Sequence, residues 1–252
     1  MLEISSTTNK QIVEHTKLQQ KKYRKETDLF LLEGFKPIKE AVDSGVEIIT
    51  LYTIAKYTVK YDFLKSKTVV VTEAVLKKLS TTDSMPEAVA VAKQQHTKLN
   101  EIKNSRRIAL LENIKDAGNL GTIIRSAAAF NIEAIILCGE TIDLYNPKVV
   151  RSAAGNLFKA PIFTGLSSRQ IKEEFKNHNF IATVVNHNDT VKPESIDYNS
   201  PFILMLGSEA EGLTDTTIEL ANTKTTIEIA DNVESLNLSI AASIFFYITL
   251  SK

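Results

Sequence analysis

Apolar residues fall into two rhythms along the 252-residue chain. Short continuous apolar runs at 30–34, 47–54, 68–72, 88–92, 107–114, 132–139, 180–185 and 202–207 predict strands. Shorter runs near 160–163 and at 226–229 predict two more. Between them lie segments with helical spacing. Residues 8–25 are polar and predict a helix. Pro37 suits a first helical turn, Ile38, Ala41 and Val42 share one face, and Gly45 is a natural stop, which predicts a helix over 37–45. Helices are also expected over 73–79, from Leu120 to Phe130, around 146–155, and over 167–178 with Ser168 as its cap. The last, 236–250, is apolar almost all round, so one side should bury against the sheet and another against a partner.

The alternation of strands and helices gives an α/β class. In the second half the strand runs are apolar without alternation, as expected of a parallel sheet covered on both faces. Residues 93–105 are polar and aperiodic. They divide the chain into a small domain over 1–95, a linker over 96–105 and a larger domain over 106–252.

Composition changes this picture little. Hydrophobic residues make up 43% and charged residues 24%, a globular balance. The single Cys138 excludes an internal disulfide or a cysteine zinc site, and it lies in the apolar strand 132–139. MLEISSTTNK lacks the apolar core of a secretory signal, and no run reaches the roughly 18 apolar residues of a membrane span. The expectation is a cytoplasmic protein without a membrane partner. The net charge is zero, but residues 1–100 carry 16 Lys/Arg against 12 Asp/Glu, whereas 207–252 carry 2 against 7. The densest basic run, 17–25, contains Lys21, Lys22, Arg24 and Lys25. It suits either a phosphate-binding patch or a solvated helix face.

Three segments can carry chemistry. In ENIKDAGNLGTIIRSAAAF, 112–130, a strand ends, Gly118 and Gly121 bracket Asn119–Leu120 in an expected turn, and a helix carrying Arg125 begins. Such a helix start can hold an anion, or Arg125 can be an ordinary surface residue. In FILMLGSEAEGL, 202–213, Glu209 and Glu211 occupy a loop between Gly207 and Gly212 at a strand end, where α/β proteins bind ligands, or a plain polar connection. In 226–247, Ser235, Asn237 and Ser239 gather at a helix start and can cap it or bind a ligand.

Taken in order, these segments resemble the three signature motifs of the SpoU/TrmH family of RNA methyltransferases, within the SPOUT superfamily. Asn119, Gly121 and Arg125 match N-x-G…R. Gly207, Glu209, Gly212 and Leu213 match G-x-E-x-x-G-L. Ser235, Leu236, Asn237, Leu238 and Ser239 match S-L-N-hydrophobic-S. RSAAGNLFKAPI at 151–162 resembles a segment between the first two motifs. KKYRKETDLFLLEGFKPIKEA at 21–41 looks like the family's L30e-like RNA-recognition domain. One departure is Ile227-Glu228-Ile229, where the family often has Ile-Pro-Met.

The resemblance implies a C-terminal α/β trefoil knot behind an L30e-like domain. It implies S-adenosylmethionine as cofactor and methylation of a ribose 2′-hydroxyl in RNA, most simply ribosomal RNA, by a homodimer joined through the methyltransferase domain, with no role for DNA or a metal. Arg125, Asn119, Glu209, Ser235 and Asn237 become the catalytic candidates. Asn186, Gly207, Ile227 and Leu236 are the cofactor candidates. Lys21, Lys22, Arg24, Lys25 and Arg151 are the RNA candidates, with Arg151 alternatively at a dimer interface. A guanidinium stays protonated, so Arg125 is better suited to orienting the acceptor than to acting as a simple base. Transfer RNA as substrate and a non-catalytic RNA-binding protein remain alternatives. A dinucleotide-binding Rossmann enzyme is disfavoured, because the chain has no G-x-G.

Overall fold

The computed structural model describes residues 2–185 and 189–250. The elements run β1 (Leu2–Ile4), α1 (Lys10–Thr16), α2 (Lys21–Thr27), β2 (Leu29–Glu33), α3 (Phe35–Asp43), β3 (Ile48–Thr53), β4 (Thr68–Val71), α4 (Glu73–Leu79), β5 (Ala88–Lys93), α5 (Leu99–Ile102), β6 (Arg107–Glu112) and α6 (Ala117–Ala129). They continue with β7 (Ala134–Cys138), α7 (Pro147–Ser152), β8 (Ile162–Thr164), α8 (Ser168–Glu174), β9 (Asn179–Thr183), β10 (Phe202–Leu206), α9 (Asp215–Ile218), β11 (Thr223–Thr225) and α10 (Leu238–Leu250). Two compact units result. The first holds the chain up to Gln95 together with Asp143–Phe158, and the second holds His96–Ile142 and the chain from Lys159 onward.

In the first unit a mixed sheet has the order β1-β4-β3-β5-β2, with β5 antiparallel to both neighbours. Its helices form for local reasons. In α4 the Thr72 hydroxyl caps Val75 N–H, Glu73 sits in the first turn and Lys77 and Lys78 in the last, all favourable to the helix dipole. Val75, Leu76 and Leu79 then bury against Leu31, Tyr52 and Val89 of the sheet. Segment 143–158 joins this unit through Tyr145, whose ring lies 4.5 Å from that of Phe30 and whose hydroxyl bonds both Gln95 N and O at 2.7 Å.

Arg24 corrects one expectation. Its side chain is 2% exposed, with Nε 2.7 Å from Asp143 Oδ2 and Nη1 donating to the carbonyls of Leu18 and Gln19 at 2.8 and 2.9 Å. A buried guanidinium so fully paired holds the fold and offers nothing to RNA phosphate. Lys21, Lys22 and Lys25 on the same helix are exposed. Arg151 is 35% exposed, lies 3.8 Å from Glu33 and donates to the Thr81 hydroxyl.

In the second unit six strands form one parallel sheet of order β11-β9-β10-β6-β7-β8. All five residues of β10, Phe202 to Leu206, are at most 1% exposed. Such burial is worth about 1.5–3 kcal/mol for each large apolar side chain. After β6 the chain builds outward through β7 and β8, then returns on the other side to form β9 and β10. The strand order therefore reverses between β6 and β10, and the loops after these two strands leave the sheet side by side. Crevices at such a reversal are the usual ligand sites of open α/β sheets.

Four local expectations change. Helix α6 starts at Ala117, so Gly118 and Gly121 are helical residues and not a turn; Asp116 is the cap, accepting from Asn119 N–H at 2.8 Å. Ser167, not Ser168, caps α8. Residues 226–229 carry no regular structure, and the edge strand is instead the preceding Thr223–Thr225. Within 93–105, α5 buries Ile102 completely, so this stretch is not a bare linker.

Candidate active site

The crevice at the strand reversal is built from three loops of the second unit. After β6, Asn113 takes a positive φ of 57°, and the chain turns into α6, placing Asn119 in its first turns. After β10, the loop 207–213 folds back on itself, Ser208 and Gly212 exchanging two N–H···O bonds of 3.0 Å. A Cβ on Gly207 would stand 1.9 Å from Gly212 C and 2.0 Å from Leu213 N. Glycine there is required by the return of the loop itself. The third loop, 226–237, leads into α10.

One chain of hydrogen bonds ties the three loops. Asn119 Nδ2 donates to Glu209 Oε1 at 2.6 Å, and Asn237 Nδ2 donates to Asn119 Oδ1 at 3.0 Å. Asn237 Oδ1 in turn accepts from the N–H and hydroxyl of Ser239, at 2.9 and 2.7 Å, which caps α10. Helix α10 packs along α6, with Ser126 and Ser243 hydroxyls 2.7 Å apart. Each amide uses both of its ends, so the network fixes loops from distant parts of the chain in one arrangement.

A cleft of about 940 Å³ opens beside this network. Its walls are the ends of β9 and β10, loop 206–213, segments 226–231 and 233–236, and Phe245 of α10. Of the sequence candidates, Gly207, Glu209, Ile227, Ser235 and Leu236 line it. Asn119 and Asn237 border it through Glu209. Arg125 lies outside the lining, exposed on α6 and without a partner among the described residues. Gly121 and Gly118 occupy its stripe of the helix, one and two turns earlier, and helical side chains lean toward the N-terminus. Gly121 is itself buried and Gly118 half-buried, so the exposed guanidinium stands over packed helix backbone. Asn186 lies outside the described residues.

The charge of the cleft has one sign. Glu209, Glu211, Asp215, Glu228, Asp231 and Glu234 line it, and no Lys, Arg or His does so among the described residues. Lys192 pairs with Glu228 at 3.0 Å on the exposed rim. Among the described residues no His/Cys/Asp/Glu group is arranged to hold a metal ion. Burial and the nearby Glu112 carboxylate push the Cys138 thiol up to about 12, so it stays protonated and is no nucleophile at neutral pH.

Sequence reasoning missed Glu112. It ends β6 only 6% exposed and accepts from Thr214 N at 2.8 Å, the Thr214 hydroxyl at 3.2 Å and the Thr217 hydroxyl at 2.6 Å. The carboxylate thus anchors the exit of loop 207–213 to the neighbouring strand. Its signal was available: an acid closing an otherwise apolar buried run needs dedicated donors.

The sequence profile of the SpoU rRNA Methylase family matches residues 106–247, and that of an MRM3-like substrate binding domain matches residues 9–90. An uncharacterized tRNA/rRNA methyltransferase of Synechocystis is 33% identical across 97% of this chain and 92% of its own length. The 23S rRNA (guanosine(2553)-2′-O)-methyltransferase RlmP of Bacillus subtilis is 26% identical, with 98% of each chain covered. Among solved structures, the AdoMet-bound rRNA methyltransferase from Sinorhizobium meliloti superposes with a TM-score of 0.89 at 30% identity, covering 98% of this chain and 96% of that one.

Proposed function

The chain belongs to the SpoU rRNA Methylase family, and from that premise we propose that it transfers the methyl group of S-adenosylmethionine to a ribose 2′-hydroxyl of ribosomal RNA. Its second unit is the family's trefoil-knotted methyltransferase fold, preceded by a separate N-terminal domain. The observation that carries the activity is the Asn237–Asn119–Glu209 chain, which joins all three motif loops beside the cleft.

The residues present fit the cofactor. S-adenosylmethionine carries a net positive charge, and six carboxylates and, among the described residues, no cation line the cleft. Irregular backbone at 226–231 exposes N–H and C=O groups of the kind that bind an adenine and a ribose, and Gly207, Ile227 and Leu236 would hold it. When bound, it supplies a methyl group already activated for transfer.

The chain's own residues then act on the acceptor. A ribose hydroxyl is a poor nucleophile at neutral pH, and charge must be stabilised as it loses its proton. The guanidinium of Arg125 offers donors and no acceptor, so it binds the acceptor phosphate or steadies the developing oxyanion. Glu209, held by Asn119, and Ser235 stand at the cleft wall to receive or align the proton. The anionic RNA is repelled by the acidic cleft and must be held by cations elsewhere, among them Arg125 and the exposed lysines of the first unit. That the Bacillus relative is a 23S rRNA ribose methyltransferase supports ribosomal RNA over transfer RNA. The exposed apolar residues Ile240, Tyr247 and Leu250 of α10 support a homodimer through this unit.

The test is transfer of labelled methyl groups to ribosomal RNA from a strain lacking the gene, followed by mapping of 2′-O-methyl sites. One ribosomal site should be filled by the wild type. Arg125→Ala should abolish transfer while binding S-adenosylmethionine normally. Modification of transfer RNA alone would reassign the substrate, and near-normal turnover by Arg125→Ala would remove the arginine from the mechanism.

A further inference from the structure

Strands β6 and β7 run parallel up to the pair Glu112–Cys138. One more main-chain bond follows, Asn113 N–H donating to Cys138 O at 3.1 Å. The next rung of a parallel ladder would take Glu140 N–H to the main-chain carbonyl of Asn113. It goes to the side chain instead, Glu140 N–H donating to Asn113 Oδ1 at 2.8 Å. The amide side chain thus completes the rung that the main chain gives up.

That exchange frees the backbone to turn away from the sheet. Asn113 adopts a φ of 57°, the left-handed conformation that asparagine tolerates better than most residues. Gly139 faces it with a φ of 70°, and a Cβ there would stand 2.2 Å from Asn113 Oδ1. The loops after β6 and β7 are therefore matched at one point, an asparagine on one and bare backbone on the other. A second bond joins them further on, Ile142 N–H donating to Ile114 O at 2.7 Å. The next residue, Asp143, is held in turn by the buried Arg24.

Little slack remains before α6. Only Ile114, Lys115 and Asp116 separate Asn113 from Ala117, where the helix begins. Ile114 is fully buried, and Asp116 is the helix cap. The point where the chain leaves β6 therefore sets the position of α6, and with it those of Asn119 and Arg125. No residue from 113 to 125 lines the cofactor cleft, so α6 can shift while the cleft stays whole. We propose that Asn113 is a positioning residue for methyl transfer: its side chain closes the β6–β7 ladder so that α6 holds Asn119 and Arg125 in register with the loop after β10. This role deepens the proposed function and rests on the action given there to Arg125.

Two variants of the full chain separate the turn from the rung. Asn113→Gly accepts the left-handed backbone but lacks the oxygen, and Asn113→Asp keeps both. With unmodified ribosomal RNA, Asn113→Gly should lower kcat about a hundredfold, the scale of a misplacement of about 1 Å. Its calorimetric affinity for S-adenosylmethionine and its melting temperature should stay close to wild type. Asn113→Asp should recover most of the lost rate. Asn113→Gly combined with Asn119→Ala should be little slower than Asn119→Ala alone, because both act through the place of α6, whereas independent damage would multiply. Near-normal kcat for Asn113→Gly, or equal rates for the Gly and Asp variants, overturns the role while wild-type methylation leaves the proposed function standing. Cofactor binding and melting temperature that fall in step with the rate overturn it too, making Asn113 a residue of the fold alone. A wild type that binds S-adenosylmethionine but methylates no RNA overturns both.

Discussion

Asn119 acts through both ends of one amide, donating a hydrogen bond to Glu209 and accepting one from Asn237. Asn119→Asp keeps the acceptor and replaces the donor by a second carboxylate about where 2.6 Å separated the first pair. Two carboxylates so close cannot both ionise, so the pair keeps a proton well above the usual carboxyl range. Protonated, it restores the bond; deprotonated, it forces the loops apart. Activity of Asn119→Asp should therefore rise relative to wild type as pH falls, and Asn119→Ala should be impaired at every pH. Parallel pH–rate profiles for the two variants would argue against the bridging role. A second residue makes the opposite case. The hydroxyl of Tyr61 is buried with no hydrogen-bond partner among the described residues. Leaving such a group unsatisfied costs about 1–3 kcal/mol, so Tyr61→Phe should raise stability by about 1 kcal/mol in denaturant titrations.

At the scale of elements, the strands were legible because buried parallel strands write themselves as uninterrupted apolar runs. The starts of elements were less so. Gly118 and Gly121 suggest a turn, but Asp116 caps Asn119 N–H and the helix runs through both glycines. The alternating Thr-Ile-Glu-Ile at 226–229 suggests a strand, yet these residues line the cleft, and the polar Thr223–Thr225 forms the edge instead. Arg24 looks like its lysine neighbours, since nothing local reveals that Asp143, 119 residues later, returns to bury it. Of the candidate site, motif spacing named the candidates but not their connection, and Glu112 was passed over as part of a strand. The loop after β10 gives the sharpest element-level expectation. It is pinned at its start by Gly207, where a Cβ has no room, and beyond its end by Glu112 through Thr214 and Thr217. Gly207→Ala should displace the loop, abolish methyl transfer and weaken S-adenosylmethionine binding more than tenfold, while circular dichroism stays native. Thr217→Val removes one donor from a buried carboxylate and should cost about 1–3 kcal/mol of stability. Full activity of Gly207→Ala would show that the loop position is immaterial.

For the whole molecule, the decisive surface is the outer side of α10. Residues 240, 244 and 247 fall on one helical stripe. Ile240 is 51% and Tyr247 59% exposed, with Leu250 39% exposed at the helix end. Tyr247 packs edge-on against Phe130 of α6 at 5.9 Å, so the two helices present a shared apolar strip. A second copy related by a twofold axis would cover both strips at once. Stable pairing buries on the order of 1,200–2,000 Å² in total, so neighbouring residues of both helices would have to take part. Tyr247→Glu and Ile240→Glu place charge in that interface with little effect on the interior of the unit. The wild type should sediment as a dimer and both variants as monomers. Because association stabilises only the folded state, the wild-type melting temperature should climb with protein concentration, whereas that of either variant should not. Arg125 is exposed on the same α6, so loss of the partner should also lower specific activity on dilution. A wild type that is monomeric at micromolar concentration, yet fully active, would leave the apolar strip without a twin and sever catalysis from assembly.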